Sequence, residues 1–260
     1  MSARRALVTG ASSGIGAAYA ERLAADGVDL VLVARRRDRL EELAGRLDAE
    51  VRVVEADLGR PEGLDAVREA ALDAPVDVLV NNAALAHYGP FADLDPDAAH
   101  QLVELNVLAP VLLTRAVLPG MIERGSGGVV NVASLLAFSG EWDGPHLPRR
   151  AVYAATKSFL LTFTQVLAGE LADSGVRVQV LCPGVVRTEF HSRQGMDMTG
   201  RTRMEPKDVV AASLADLERG VIVSIPGLED EHALADLAEA EAALAASTGA
   251  VVPASRYRRA

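Results

Sequence analysis

Seven short runs of aliphatic and β-branched residues recur along the chain, at positions 6–9, 30–33, 51–54, 76–80, 128–132, 176–181 and 221–225. The runs are continuous rather than alternating, as in strands buried on both faces. Between them, apolar residues fall at helical spacing over 15–25, 38–47, 61–72, 96–106, 108–123, 152–172, 206–219 and 228–245. Pro61, Pro96 and Pro206 stand near helix starts, where a missing N–H costs nothing. Strands alternating with helices predict right-handed βαβ units. The expected fold is α/β: one domain over residues 1–260, with a doubly wound parallel sheet of about seven strands and helices on both faces. A ligand then belongs along the carboxyl ends of the strands.

Composition narrows the function. The chain has 260 residues, half of them apolar, enough for a full core. A net charge of -10 argues against nucleic acid or an anionic membrane as partner. The single cysteine, Cys182, has no intramolecular disulfide partner. That fits a reducing, cytoplasmic compartment and a small buried side chain. No signal peptide is expected, because Met1-Ser2-Ala3-Arg4-Arg5 runs straight into the first strand. No apolar run is expected to reach the ~20 residues of a membrane span. The Ala-rich stretch 234–246 reads as an amphipathic helix, and the residues after Ser247 as a surface tail.

The chemistry sits at predicted strand ends. Thr9-Gly10-Ala11-Ser12-Ser13-Gly14-Ile15-Gly16 follows the first strand and opens a helix. Glycines there let backbone approach a pyrophosphate, and the helix N-terminus offers free N–H groups. A plain glycine-rich turn is the alternative, since the spacing is not G-x-G-x-x-G. The second strand ends in Ala34-Arg35-Arg36-Arg37-Asp38, with no acid where a ribose of NAD would bind. Ala34 takes the acid's position, Arg35 beside it suits the 2′-phosphate of NADP, Arg36 or Arg37 adds charge, and Asp38 reads as a helix N-cap. Ser134 ends the fifth strand, where its hydroxyl suits a carbonyl oxygen gaining charge. Tyr153-Ala154-Ala155-Thr156-Lys157 puts a phenol and an ammonium one helical turn apart. The ammonium is expected to lower the tyrosine pKa from its usual value of about 10. Asn106, inside a helical pattern, is expected to mark a bend. A hydrolase built on Ser134 and His146 fails for want of a G-x-S-x-G elbow.

Taken together, T-G-x-x-x-G-x-G, Asn81-Asn82-Ala83-Ala84, Ser134 and Y-x-x-x-K, in this order, resemble the short-chain dehydrogenase/reductase family. The match runs from Arg4 to about Thr188. The resemblance implies a Rossmann-like domain that transfers hydride reversibly between NADP(H) and a carbonyl or secondary alcohol, with no metal. It implies catalytic roles for Ser134 (carbonyl), Tyr153 (proton), Lys157 (tyrosine pKa and nicotinamide ribose) and Asn106 (a water reaching the lysine). Cofactor contacts are implied for Gly10, Ser12, Ser13, Gly14, Ile15 and Gly16, and for Arg35 and Arg36. They are also implied for Asp57, Leu58, Asn81, Ala83, Pro183, Gly184, Val186 and Thr188, beside Tyr153 and Lys157. Ala84 replaces the family's usual glycine, and Ser13 stands where many NADP-using relatives carry a second basic residue.

Residues 140–150, punctuated by Gly and Pro, form a loop expected over the reacting end, and 189–204 a lid. Tyr88, Leu135, Trp142, His146 and Phe190 are the candidate substrate contacts, suggesting a hydrophobic substrate. A non-catalytic dinucleotide-binding sensor is the alternative, and it would be expected to lose Ser134, Tyr153 or Lys157. An epimerase or dehydratase would need more chain after Ile225. Apolar helices at 108–123 and 152–172 suggest a homodimer or homotetramer.

Overall fold

The computed structural model describes residues 4–142 and 147–257. Its strands are β1 (Arg5–Thr9), β2 (Asp29–Ala34), β3 (Val51–Glu55), β4 (Val78–Asn81), β5 (Gly127–Val132), β6 (Val176–Leu181) and β7 (Val223–Ser224). They form one sheet in the order β3-β2-β1-β4-β5-β6-β7, every pair parallel. The chain order reverses between β1 and β4, which opens a crevice at their carboxyl ends.

The helices are α1 (Gly14–Ala25), α2 (Arg37–Ala44), α3 (Pro61–Leu72), α4 (Pro96–Val103), α5 (Ala109–Glu123), α6 (Ala151–Glu170) and α7 (Pro206–Arg219). Each continuous apolar run serves two cores, because successive strand residues face opposite sides. Ala6, Val8, Leu30 and Leu32 pack with Tyr19 of α1, Leu40 of α2 and Val209 of α7. Leu7, Val31, Val33 and Leu79 pack with Val67 of α3, Leu113 of α5 and Leu167 of α6. Each fully buried aliphatic side chain contributes ~1.5–3 kcal/mol of transfer free energy. The doubly wound sheet is therefore the arrangement that uses both sides of these runs.

Polar tethers fix the layers. The Tyr19 hydroxyl lies 2.5 Å from Ser213 Oγ, which donates to Gln179 Oε1 at 2.5 Å. This joins α1, α7 and β6, and burial pushes the Tyr19 phenol well above its ordinary range. Asn81 Nδ2 donates to Asn131 Oδ1 at 2.9 Å, and Asn131 Nδ2 to Thr164 Oγ1 at 2.9 Å.

Three expectations need correction. Asp38 does not cap α2; Arg36 holds the N-cap position and Asp38 lies in the first turn. The helices expected at 96–106 and 108–123 form one continuous helix, Pro96–Glu123. It runs on through a π-helical turn at Glu104–Leu108, so Asn106 does mark a local irregularity. That continuous helix, 28 residues with an 18-residue stretch of mean hydropathy 1.6, is also long and apolar enough to cross a membrane by length and composition. Here it packs as a core helix instead, burying Leu113, Val117 and Met121 of α5.

The chain separates into two compact units, one through Pro226 and one from Gly227. The second contains α8 (His232–Ala245) and the short turns Ala246–Gly249 and Ser255–Tyr257, none with a buried residue.

Candidate active site

The turn after β1 is shaped by close backbone approach. Gly10 has φ +66, and a Cβ there would sit 2.7 Å from Asn82 Nδ2. At Gly16 a Cβ would lie 2.5 Å from the same atom. Asn82 Nδ2 is committed to Thr9 O at 2.9 Å, and Thr9 Oγ1 accepts from the Asn82 and Ala83 N–H groups at 2.9 and 3.0 Å. The glycines thus let two strand ends knit together. Ser13, the N-cap of α1, makes no side-chain cap bond, and the first turn carries no acid. The partial positive charge of that helix end is left for an anion.

A cavity of about 630 Å³ runs from this turn to Tyr153. It is lined by Gly10, Ser12, Ser13, Gly14 and Ile15 at one end, and by Ser134, Tyr153, Lys157 and Thr188 at the other. Opposite Gly14, a Cβ would come within 2.9 Å of Thr188 Cγ2. The anion-ready helix end, opening into this cavity, fits a dinucleotide laid along it.

At the reacting end, Leu135 N donates to Pro183 O at 2.9 Å, which pins Ser134 between the ends of β5 and β6. Tyr153 and Lys157 are both buried, on one face of α6. Lys157 Nζ donates to Val132 O at 2.8 Å and lies 5.8 Å from the Tyr153 ring centroid. Burial lowers the lysine pKa to about 8, with Cys182 opposing. Burial also raises the Tyr153 phenol well above its ordinary value, Tyr88 adding to the rise and the Ser134 hydroxyl working against it. The expectation that Lys157 draws the phenol down is therefore corrected: in the protein alone desolvation sets the direction, and the group that opposes it is Ser134. Tyr153 is held as a protonated acid. The Cys182 thiol behind this group is pushed up to about 12 by burial.

Asn106 is fully buried in the π-helical turn. Its Oδ1 accepts from Leu85 N at 3.0 Å, and its Nδ2 donates to Leu85 O at 2.9 Å and Thr156 Oγ1 at 3.1 Å. It braces α6 three residues from Tyr153 and does not line the cavity.

The basic residues after β2 divide their work. Arg36 lays its guanidinium over the glycine turn, donating from Nη2 to Ser12 Oγ at 2.9 Å and Ser13 Oγ at 3.0 Å. Its Nη1 meets Glu189 Oε2 at 3.1 Å. Glu189 also takes Arg39 at 2.5 Å and Arg193, and these arginines, Arg39 first, hold its carboxyl down at about 2. The start of the 189–204 segment is thereby tied to the glycine turn. Arg35 is more exposed, 3.9 Å from Asp57. Asp57 Oδ1 accepts from Gly59 N at 3.1 Å, forming a turn.

Of the expected cofactor residues, Arg35, Arg36, Asp57, Leu58, Ala83, Pro183, Gly184 and Val186 line the cavity. Asn81 does not: its side chain is turned into the core, and Asn82 takes the lining position. Gly16 packs behind the turn rather than in the wall. Of the expected substrate residues, Tyr88, Leu135, Trp142 and Phe190 line the same cavity, and His146 lies outside the described residues. Tyr88 and Phe190 flank the Tyr153 ring, at centroid distances of 5.7 and 6.0 Å. Arg150 organises the segment before α6, donating to Ser139 Oγ at 2.9 Å, Ser139 O at 2.8 Å and Trp142 O at 3.2 Å. The two ends of the 189–204 segment come together where Val186 pairs with Met204. Residues that the motifs did not single out also line the cavity, among them Leu136, His191, Met196, Met198 and Arg201.

A family profile described as short chain dehydrogenase matches residues 4–198. An uncharacterized oxidoreductase of Staphylococcus epidermidis is 33% identical over 209 residues, 80% of this chain and 87% of that one. Among solved structures, a short-chain dehydrogenase from Sphingobium yanoikuyae in complex with NADPH is similar with a TM-score of 0.91. It is 37% identical, over 98% of this chain and 100% of that chain. The bulky-bulky ketone specific alcohol dehydrogenase from Comamonas testosteroni gives a TM-score of 0.88 at 32% identity, covering 100% of both chains.

Proposed function

The chain belongs to the short-chain dehydrogenase/reductase family, and from that premise we propose that it is an NADP(H)-dependent oxidoreductase acting on a carbonyl or secondary alcohol of a hydrophobic substrate. The observation that carries the reading is the convergence of Ser134, Tyr153 and Lys157 on the cavity that the glycine turn also opens into. When bound, the cofactor supplies the hydride.

The rest falls to this chain's residues. The N-terminus of α1 receives the pyrophosphate, and Arg36, with Arg35 beside it, receives the 2′-phosphate. Ala34 sets no carboxylate against that phosphate. Asp57, Leu58 and Ala83 receive the adenosine end, and Val186 and Thr188 the carboxamide. Ser134 donates to the carbonyl oxygen as charge gathers on it. Tyr153, kept protonated by burial, delivers its proton to that oxygen. Lys157 steadies the resulting phenolate, and Asn106 positions α6 through Thr156.

The ring walls of Tyr88 and Phe190, with Leu135 and Trp142, favour a bulky apolar ketone, the class named for the Comamonas enzyme. A binding-only sensor would have no need of the full Ser134, Tyr153 and Lys157 set. Tyr153→Phe decides it, because only the ionising hydroxyl is removed. The variant should fold and bind NADPH, yet reduce a ketone accepted by the parent at least a hundredfold more slowly by NADPH absorbance. Wild-type rates in the variant refute the assignment.

Val103 on α4, Leu108 in the π-helical turn, Ile122 on α5 and Phe159 and Val166 on α6 leave apolar surface exposed. Such faces need cover, so the working form is a homodimer or homotetramer; a monomer by light scattering at micromolar protein overturns this. The single buried thiol, Cys182, suits a reducing cytoplasm.

A further inference from the structure

The cavity reverses the charge of the protein around it. The chain carries a net charge of -10, yet among the described residues the wall presents Arg35, Arg36, Lys157, Arg193 and Arg201 against one acid, Asp57. Arg35, Arg36 and Lys157 are accounted for by the proposed cofactor. Arg193 is engaged by Glu189. Arg201 is left over, on the lid, at the substrate end. Asp197 lies within electrostatic reach of it but accepts from Thr199 N at 2.9 Å and makes no ion pair with it.

The surroundings of Arg201 are also unsatisfied. His191, which lines the cavity, has a buried Nδ1 with no partner, and the neighbouring Arg203 has a buried Nε with none. Burial, then Arg201 and Arg203, lower the His191 pKa, so the ring is neutral near pH 7. His191 is backed edge-on by Phe190 at 5.6 Å, and Phe190 in turn adjoins Tyr153. Within this cavity the Phe190 ring therefore stands between the reacting hydroxyl and a polar group rich in donors. Convergent donors at the end of an apolar pocket fix orientation by taking an acceptor. A guanidinium matches a carboxylate in geometry as well as charge.

Resting on the reductase reading above, we propose that the substrate is a hydrophobic carbonyl compound with a carboxylate remote from the reacting carbon, received at the lid by Arg201 and His191. The cationic wall would raise the local concentration of such an anion against the protein's overall negative field.

The test uses aryl keto acids, 4-oxo-4-phenylbutanoate through 6-oxo-6-phenylhexanoate, with their methyl esters, under saturating NADPH. At low ionic strength, at least one acid should exceed its ester about tenfold in kcat/KM, the scale of one charge-assisted contact at a partly open site. Arg201→Gln should collapse that acid-to-ester ratio, mainly through KM, and Arg201→Lys should restore much of it. Added salt should lower the ratio in the parent. Acids and esters handled alike, or a ratio unmoved in Arg201→Gln, overturns the proposal. If no ester or acid is reduced, the reductase reading fails separately. The anion site is then judged by calorimetry of 5-phenylpentanoate, which has no ketone. Binding weakened about tenfold in Arg201→Gln supports the site, and equal binding or none overturns it.

Discussion

Replacing Arg36 by alanine should separate the two nicotinamide cofactors. The Arg36 guanidinium is held in place by Ser12 and Ser13, at 2.9 and 3.0 Å, and its side chain is 27% exposed. It is therefore oriented before any phosphate arrives, and little side-chain entropy remains to be lost on contact. A charge-assisted bond contributes ~1.5–3 kcal/mol. Partial exposure moves the figure toward the low end, ~1.5–2 kcal/mol, or about ten- to thirtyfold in Kd. NADPH should weaken by that factor in Arg36→Ala, and NADH, with no 2′-phosphate, by far less. Glu189 supplies the opposite perturbation, because its carboxylate already shares Arg36 and Arg39. Glu189→Gln removes this internal competitor, and NADPH affinity should rise about two- to fivefold at low salt. Titration calorimetry of both cofactors into the three proteins measures it. Equal losses for NADPH and NADH in Arg36→Ala would mean that only the turn was damaged. No loss at all would move the phosphate site to Arg35.

Other expectations follow from buried groups. Lys157, with its pKa lowered from 10.5 to about 8, is largely deprotonated in the free protein at pH 9. An anionic dinucleotide favours the ammonium, so NADPH binding at pH 9 should take up a proton. Calorimetry in two buffers of different ionisation enthalpy detects this, and equal heats in both refute it. Asn106→Ala strands the Leu85 N–H and carbonyl and takes one donor from the Thr156 hydroxyl, which keeps its bond to Tyr153 O. It should cost ~2–4 kcal/mol in urea denaturation; a change below ~0.5 kcal/mol would show that those groups find other partners.

The sheet was legible because its strands are buried on both faces, so 6–9 and 30–33 read as unbroken apolar runs with no competing helical period. The proposed catalytic serine, tyrosine and lysine were legible because Ser134 follows the end of β5, and the tyrosine and lysine fall one helical turn apart on α6. Side-chain direction at the last strand residue was less so. Asn81 and Asn82 are adjacent, and only the pleat decides that the first faces the core and the second the cavity. Arg36 rather than Arg35 grips the glycine turn because α2 begins at Arg37, and that start is set by tertiary packing. The sign of the Tyr153 shift depends on burial that sequence does not state. His191 and Arg201 lie in a segment without periodicity, and nothing local shows that both line the cavity.

The π-helical turn at Glu104–Leu108 has a consequence for phase. Each residue of an α-helix advances the side-chain direction by about 100°. A turn closed by i→i+5 bonds holds one more residue than its α-helical equivalent. Deleting one residue there could leave a regular helix of nearly the same length, but α4 and α5 would then be rotated relative to each other by roughly that angle. If α5 kept its buried stripe of Leu113, Val117 and Met121, α4 would turn Leu102 away from the interior. If α4 kept its seat, the α5 stripe would swing off the sheet. The extra residue thus acts as a phase shifter, letting two apolar stripes that are out of step share one rod while the offset between them points an amide at the backbone of Leu85.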